Sequence, residues 1–383
     1  MDTMRVAVLG AGYAGLTLAR KLEQTLPDSV SLVVVDEQTE HLVQHELHRV
    51  VRRPSLAEEI TVDLDDVLDC EIRQATVTDV DSDAGVATLD GSETLSYDVG
   101  AVCLGARTAF YGLPGVREHA TPLKRLDDAH VIRERFHGLS DGDRVVVGGA
   151  GLSGVQVAGE LAEMREDSDI EVLLLEQEDA VAPAFPASFQ SAVHDALVDA
   201  GVTVRTGTGV AEADADVITL TDGSDLTMDQ FVWTGGIEGS PALDADRPVV
   251  RADLRLGEST FAVGDAARVV DSDGEAVPAS AAAAIREARV AADNIGTLVE
   301  RLQGSSGEFQ PRLTQYQFNV PGWLVSVGDD AVAKVGPSVL TGRAALALKT
   351  TVGAGYLGTV GAVQNAVDLV SEELDLTGEV ENE

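Results

Sequence analysis

The chain has 383 residues, room for two or three domains with separate cores. Its 65 acidic against 27 basic side chains give a net charge of −38, which leaves nothing to neutralise nucleic-acid phosphates in number. No apolar run reaches the roughly 18 residues that a membrane-crossing helix needs, and two cysteines, Cys70 and Cys103, far apart in sequence, exclude a disulfide framework or a cysteine metal site.

Lysine occurs only at positions 21, 124, 334 and 349, so the bases are nearly all arginine. Acid excess together with lysine shortage points to a halophilic protein in a cytoplasm of molar salt, where a Debye length of about 3 Å screens such self-repulsion. The chain enters a strand pattern at Met4 without a basic leader, the expectation for a cytoplasmic protein.

Val6 to Leu9 is a short buried-strand run, followed by Gly10-Ala11-Gly12-Tyr13-Ala14-Gly15 and a helical pattern with Leu16, Ala19 and Leu22 inward. In a strand–GxGxxG–helix unit Gly10 permits the tight turn, Gly12 lets a diphosphate approach the backbone, and Gly15 lets helix and strand pack closely. The helix N-terminus, at Tyr13 and Ala14, presents free N–H groups to that diphosphate. A second strand, Leu32 to Val35, ends at Asp36, placed to accept hydrogen bonds from a ribose diol.

Val99 to Leu104 is another hydrophobic strand and closes on Gly105-Ala106. Residues 145–154 then repeat the first unit: Val145-Val146-Val147 leads into Gly149-Ala150-Gly151-Leu152-Ser153-Gly154 and a helix, and Leu173-Leu174-Leu175 ends at Glu176. Gln177, Glu178 and Asp179 follow. With no arginine there to receive a 2′-phosphate, the second site favours NAD over NADP. Phe231-Val232-Trp233 closes on Thr234-Gly235-Gly236, the counterpart of the Val99 strand, and the two glycines leave room for close approach of a ring. Phe261-Ala262-Val263 closes on Gly264-Asp265 before a helix-capable run. By spacing alone that segment is equally a sugar-binding aspartate or a plain strand end.

Taken together, these segments resemble the two-dinucleotide-binding-domain flavoproteins, and within them the type II NADH dehydrogenases, NADH:quinone oxidoreductases that do not pump protons. The resemblance spans essentially the whole chain. It implies that the first turn (Gly10, Gly12, Tyr13, Ala14, Gly15) with Asp36 and Glu37 holds FAD, and that Asp265 after Gly264 holds its ribitol. Gln44, in the loop Glu40–His45, is expected close to the flavin, with Val77, Gly105 and Ala282 in the same site. The second turn (Gly149, Gly151, Leu152, Ser153, Gly154), with Gln156, Glu176, Gly235 and Gly236, is expected to hold NAD(H). No residue is assigned a covalent or metal-based catalytic role, since FAD carries the redox chemistry.

The departures from the family pattern bear on the acceptor. Ala282 and Arg286 stand where the family has two glutamines near the quinone, and Gln156 where many members have a glutamate. Gln156 reads equally as a carboxamide partner or as a polar residue on a half-exposed helix. Cys103 and Leu104 stand where Ala and Thr are usual. Disulfide reductases and sulfide:quinone reductases of this superfamily need flavin-side cysteines; the two here are read as structural.

The expected fold class is α/β: two Rossmann-type domains, the NAD domain (114–246) inserted in the FAD domain (1–113 and 247–320), plus a small C-terminal α+β module (321–383). That module starts after Pro321 with a hairpin from Trp323 to Val327 and Ala331 to Val335. After Gly342 a long helix carries Ala345, Leu346, Leu348, Tyr356, Val360, Val363, Val367 and Val370 near one face. Gly353, Gly355, Gly358 and Gly361 weaken it by about 1 kcal/mol each, and the basic flank is only Arg343 and Lys349. The family implies peripheral membrane contact; a core helix or homodimer face fits the pattern equally. The expected partners are NADH and a quinone or other electron acceptor. The alternatives are a soluble reductase of a protein electron carrier and a flavin- and NADH-binding redox sensor.

Overall fold

The computed structural model of the protein describes residues 3–165, 167–304, 312–320 and 322–370. Pro321, residues 371–383 and the Arg343 side chain, all assigned to the C-terminal module above, lie outside the described residues.

Runs of Val, Ala and Leu buried on both faces are satisfied in parallel strands covered by helices, and the chain builds this arrangement twice. The first sheet has the order Thr260–Ala262, Val99–Val102, Met4–Leu9, Val30–Asp36, Glu71–Gln74, all parallel. The second has the order Thr121–Pro122, Gln230–Trp233, Arg144–Gly148, Glu171–Leu175, Thr203–Arg205, again all parallel. The registers match: Ala7 lies between Val33 and Gly100, and Val147 between Leu174 and Val232. Val6 to Leu9 and Val145 to Val147 are fully buried at the sheet centres.

Each parallel sheet is accompanied by a three-stranded antiparallel meander, Val77–Asp81 with Val86–Leu89 and Glu93–Ser96 in one half, Val210–Ala213 with Val217–Leu220 and Asp225–Thr227 in the other. The chain leaves the first sheet through Arg107–Thr108 and returns through Ile237–Glu238, and these two crossings pair antiparallel with each other. Thr260–Ala262 then rejoins the first sheet beside Val99–Val102. The helix Ala281–Gln303 packs on the helix Tyr13–Thr25, with a Lys21–Asp293 ion pair of 2.5 Å at their edge.

The C-terminal module is α+β. Gly322–Val327 and Asp330–Val335 form the expected hairpin, and Ser338–Thr341, for which no element was expected, adds a third strand. The module docks on the helix Leu152–Met164 at Gly159, where an added Cβ would lie 2.4 Å from the Gly328 nitrogen.

Two expectations are corrected. The run after Gly264-Asp265 is not helical: it forms one 3-10 turn, Gly264–Ala266, and a short strand, Arg268–Val269, and the helix starts only at Ala281, where the Ser280 hydroxyl accepts from Ala283 N–H. The C-terminal stripe is not one helix face either. The helix Arg343–Thr359 stops at Gly361, whose φ of +90° breaks the ladder, and helical residues resume at 363–370. Ala345, Tyr356 and Val360 are buried, whereas Val363 and Val367 are exposed.

Candidate functional site

The two glycine turns share one backbone plan. Gly10 (φ +102°) and Gly149 (φ +97°) have left-handed backbones that favour glycine. Their N–H groups donate to the carbonyls of Val35 and Leu175, at 2.7 and 2.8 Å. A Cβ on Gly15 would lie 1.7 Å from the Gly10 carbonyl oxygen, and one on Gly154 1.9 Å from that of Gly149. Those four glycines are packing requirements. Gly12 and Gly151 differ: an added Cβ would meet no atom within 4 Å. Each is the N-cap of its helix, and neither helix has a side-chain cap there. The N–H groups of Tyr13, Ala14 and Gly15, and of Leu152, Ser153 and Gly154, lie in the first turn and have no intrahelical acceptor. The product is two open, positively polarised cradles of a kind that suits a diphosphate.

The two acids are held in the same way. Asp36 accepts from Ala11 N–H (2.6 Å) and Gln38 N–H (2.9 Å); Glu176 accepts from Ala150 N–H (2.8 Å) and Glu178 N–H (3.0 Å). Each carboxylate is fixed beside its cradle with lone pairs to spare for hydroxyl donors. Burial raises the Asp36 carboxyl, opposed by its two backbone donors.

Around the first turn the tertiary structure gathers residues distant in sequence. Gly264 (φ +69°) abuts the first cradle, since its missing Cβ would lie 3.1 Å from that of Ala14. Its N–H donates to Glu287 Oε2 at 2.7 Å. Glu287, almost fully buried, is pushed up to about 7 by burial, against the Gly264 N–H and with help from the Asp265 charge. Arg247 donates to the carbonyls of Asp265 and Ala267 and fixes the backbone of that turn. Gln44 donates to the Lys124 carbonyl at 3.0 Å, and burial lowers the Lys124 ammonium, opposed by Asp265. Gly105 (φ +63°) faces open space, and Val77 is buried at the start of its meander. Glu37 is turned aside into an ion pair with Arg125. Ala282 lies in the first turn of its helix, and its carbonyl accepts from Arg286, so that guanidinium folds back on its own helix.

Sequence reasoning missed Glu287, Arg247 and Lys124, because nothing in their local patterns separates them from ordinary surface charges. For Glu287 alone a signal existed, a carboxylate on the buried stripe of its helix.

Around the second turn, the spaces at Gly235 and Gly236 are filled. A Cβ on Gly235 would sit 2.3 Å from the Trp233 ring, and one on Gly236 1.9 Å from the Tyr111 hydroxyl. Gln156 donates to Ser326 Oγ at 3.3 Å, and His48 Nε2 shares a 2.8 Å hydrogen bond with the same hydroxyl. Gln156 thus ties its helix to the C-terminal module.

The loop after Asp36 is locked to that module by buried charge. Glu46 lies 3.1 Å from Arg49 and 3.7 Å from Lys349, all three buried. Burial would raise the Glu46 carboxyl, but Lys349, Arg49 and His45 together hold it well below the carboxylate range. His41 joins Ala11 of the first turn (Nδ1–O, 3.0 Å) to Tyr356 of the C-terminal helix (Nε2–Oη, 2.9 Å), and burial pushes it down to about 4. Tyr13 Oη and His45 Nδ1 are 2.5 Å apart beside it.

Among the described residues no group of three or more His, Cys, Asp or Glu could hold a metal ion. Both cysteines are free thiols. Burial pushes Cys70 up to about 12 and Cys103 higher still. Cys103 packs under the first turn, with its carbonyl oxygen 2.4 Å from where a Gly10 Cβ would be.

The sequence model of the pyridine nucleotide-disulphide oxidoreductases matches residues 4–288. The chain is 25% identical over 358 residues to the NADH dehydrogenase-like protein YutJ of Bacillus subtilis, covering 90% of this chain and 96% of that one. It is 29% identical over 393 residues to the type II NADH:quinone oxidoreductase Ndh of Mycobacterium tuberculosis, covering 88% and 81%. Among solved structures, NDH2 from Plasmodium falciparum in complex with NADH superposes with a TM-score of 0.80 at 14% identity, covering 97% of this chain and 98% of that one. The sulfide:quinone oxidoreductase of Aquifex aeolicus superposes with a TM-score of 0.78 at 16% identity, covering 94% and 92%.

Proposed function

The chain belongs to the pyridine nucleotide-disulphide oxidoreductase family, and from that premise we propose that it is an FAD-dependent NADH:quinone oxidoreductase of type II. The overall reaction is NADH + H+ + quinone giving NAD+ + quinol. The observation that carries this reading is the duplicated cradle: two uncapped helix N-termini, each with an open glycine and an anchored carboxylate. Two such sites suit two dinucleotides. The relatives named as type II NADH:quinone oxidoreductases support the choice of NADH as donor and quinone as acceptor.

FAD, when bound, supplies the two-electron chemistry between donor and acceptor. The residues of this chain bind and orient. Gly12, with the N–H groups of Tyr13, Ala14 and Gly15, receives the FAD diphosphate, and Asp36 the ribose diol. Gly264 brings the backbone close to the flavin chain and Asp265 accepts from its ribitol, with Glu287 and Arg247 holding that turn. Gly151 and the first turn of its helix receive the NADH diphosphate, and Glu176 the adenosine ribose. The carboxylates at 176, 178 and 179 repel a 2′-phosphate. Cys70 and Cys103 are free thiols far apart in sequence, and burial pushes both up, so this reading assigns no dithiol step, despite the family's name.

No described helix is long and apolar enough to cross a membrane. The exposed Val352, Val363 and Val367 near the C-terminal end support a contact face there. A bilayer surface is the partner that would deliver a hydrophobic quinone; a second copy of the chain is the alternative.

The deciding experiment is an anaerobic titration of the purified protein in molar salt. NADH is expected to bleach the flavin absorbance at lower concentration than NADPH, and a menaquinone analogue to restore it rapidly. Bleaching without recovery would favour a protein carrier as acceptor. A protein without flavin would overturn the assignment of the first turn.

A further inference from the structure

Tyr111 lies on the first crossing between the sheets, just before Gly112, with a left-handed backbone (φ +53°). Among the described residues it is the only aromatic one in that conformation, which a bulky side chain keeps only where its surroundings hold it. Burial does not hold it, because the residue is 65% exposed. Its hydroxyl donates to the Gly235 carbonyl at 3.3 Å and sits over Gly236, where a Cβ would be 1.9 Å away. Gly235 in turn lies against the second cradle: a Cβ on Gly149 would be 2.7 Å from its Cα.

The sheet order says what passes there. The strand Arg144–Gly148, which feeds the second cradle, has Glu171–Leu175 on one side and Gln230–Trp233 on the other. A dinucleotide with its diphosphate on the cradle and its adenosine ribose on Glu176 must send its other half to the opposite side. That side is the strip Thr234–Gly236, and the Tyr111 ring lies on it.

We propose that Tyr111 is a gate on the nicotinamide half of the second site. Its ring lies over Gly236 and its hydroxyl is anchored on Gly235 by one long hydrogen bond, so the ring must swing off before the nicotinamide half can lie down. The inference rests on the reading of the second turn as an NADH site. A binding-competent state that is only partly populated weakens apparent affinity by that fraction, and because the ring lies on the Gly235–Gly236 side, away from Glu176, the gate acts on the nicotinamide half alone.

The test is calorimetric titration of the flavin-loaded protein with NAD+ and, separately, with ADP, which carries only the adenosine and diphosphate. Tyr111→Ala is expected to tighten NAD+ by roughly three- to tenfold and to leave ADP unchanged, which also certifies that the cradle is intact. Tyr111→Phe, which keeps the ring and loses the bond to Gly235, is expected to tighten NAD+ by less. Weaker NAD+ binding in Tyr111→Ala would make the ring a contact and overturn the gate. Equal shifts for both ligands, or no shift, would overturn it as well. Wild-type protein that binds neither ligand would overturn the NADH reading itself, and the gate with it.

Discussion

Gly10 and Gly12 stand two residues apart in one turn, yet their substitutions are expected to fail in opposite ways. Gly10→Ala puts a side chain on a φ of +102° with its Cβ 2.4 Å from a backbone oxygen, and should cost about 2–4 kcal/mol of stability. Gly12→Ala meets nothing in the protein, so the flavin-stripped chain should melt within about 0.5 kcal/mol of wild type while flavin occupancy is lost. Thermal melting of the stripped proteins, together with the flavin content of the loaded ones, checks both. A Gly12→Ala protein that keeps its flavin would contradict the proposed cradle. The same physics explains Cys103. The position is governed by packing beneath Gly10 and Gly15, so a thiol can stand where the family has alanine without gaining redox character.

At the scale of elements, three parts of the chain meet at the segment 41–53, which ends in the short helix Leu47–Arg52, and buried charge joins them. Glu46 faces Arg49 and Lys349, and Arg52 donates to Glu160 at 2.6 Å. Removing one member of a buried pair strands the other in a medium that solvates it poorly. Glu46→Leu is therefore expected to destabilise the protein by about 3–5 kcal/mol. Lys349→Met should cost less, because Arg49 remains 3.1 Å from Glu46. The double variant Glu46→Leu/Lys349→Met should recover part of the Glu46→Leu loss. Urea unfolding in molar salt measures all three, and a Lys349→Met variant worse than Glu46→Leu would refute this ordering. Neither the partners nor the burial could be read from sequence, since Glu46 and Lys349 are 303 positions apart and each looks like an ordinary surface charge in its own segment.

For the whole molecule the dominant number is the charge of −38. Self-repulsion of this size opposes the compact state unless salt screens it. The thermal midpoint, followed by circular dichroism, is expected to rise with KCl. The rise should be steeper from 0.1 to 1 M than beyond, because the Debye length falls from about 10 to about 3 Å over the first interval. A midpoint that is flat or falls with salt would refute the halophilic reading.

The sequence by itself determined the two strand–turn–helix units, the acids that end their second strands and the α/β class, because each rests on a local pattern: strand run, glycine spacing, helix start. It also determined which glycines are special, but not what each is for. Only the tertiary structure separated Gly12 and Gly151, which face open space, from Gly235 and Gly236, whose space Trp233 and Tyr111 occupy. It likewise brought Glu287 to the Gly264 nitrogen, folded Arg286 back on Ala282, and broke the C-terminal stripe at Gly361. These depend on what a distant segment places beside a residue, and a periodicity read along the chain carries no information about that.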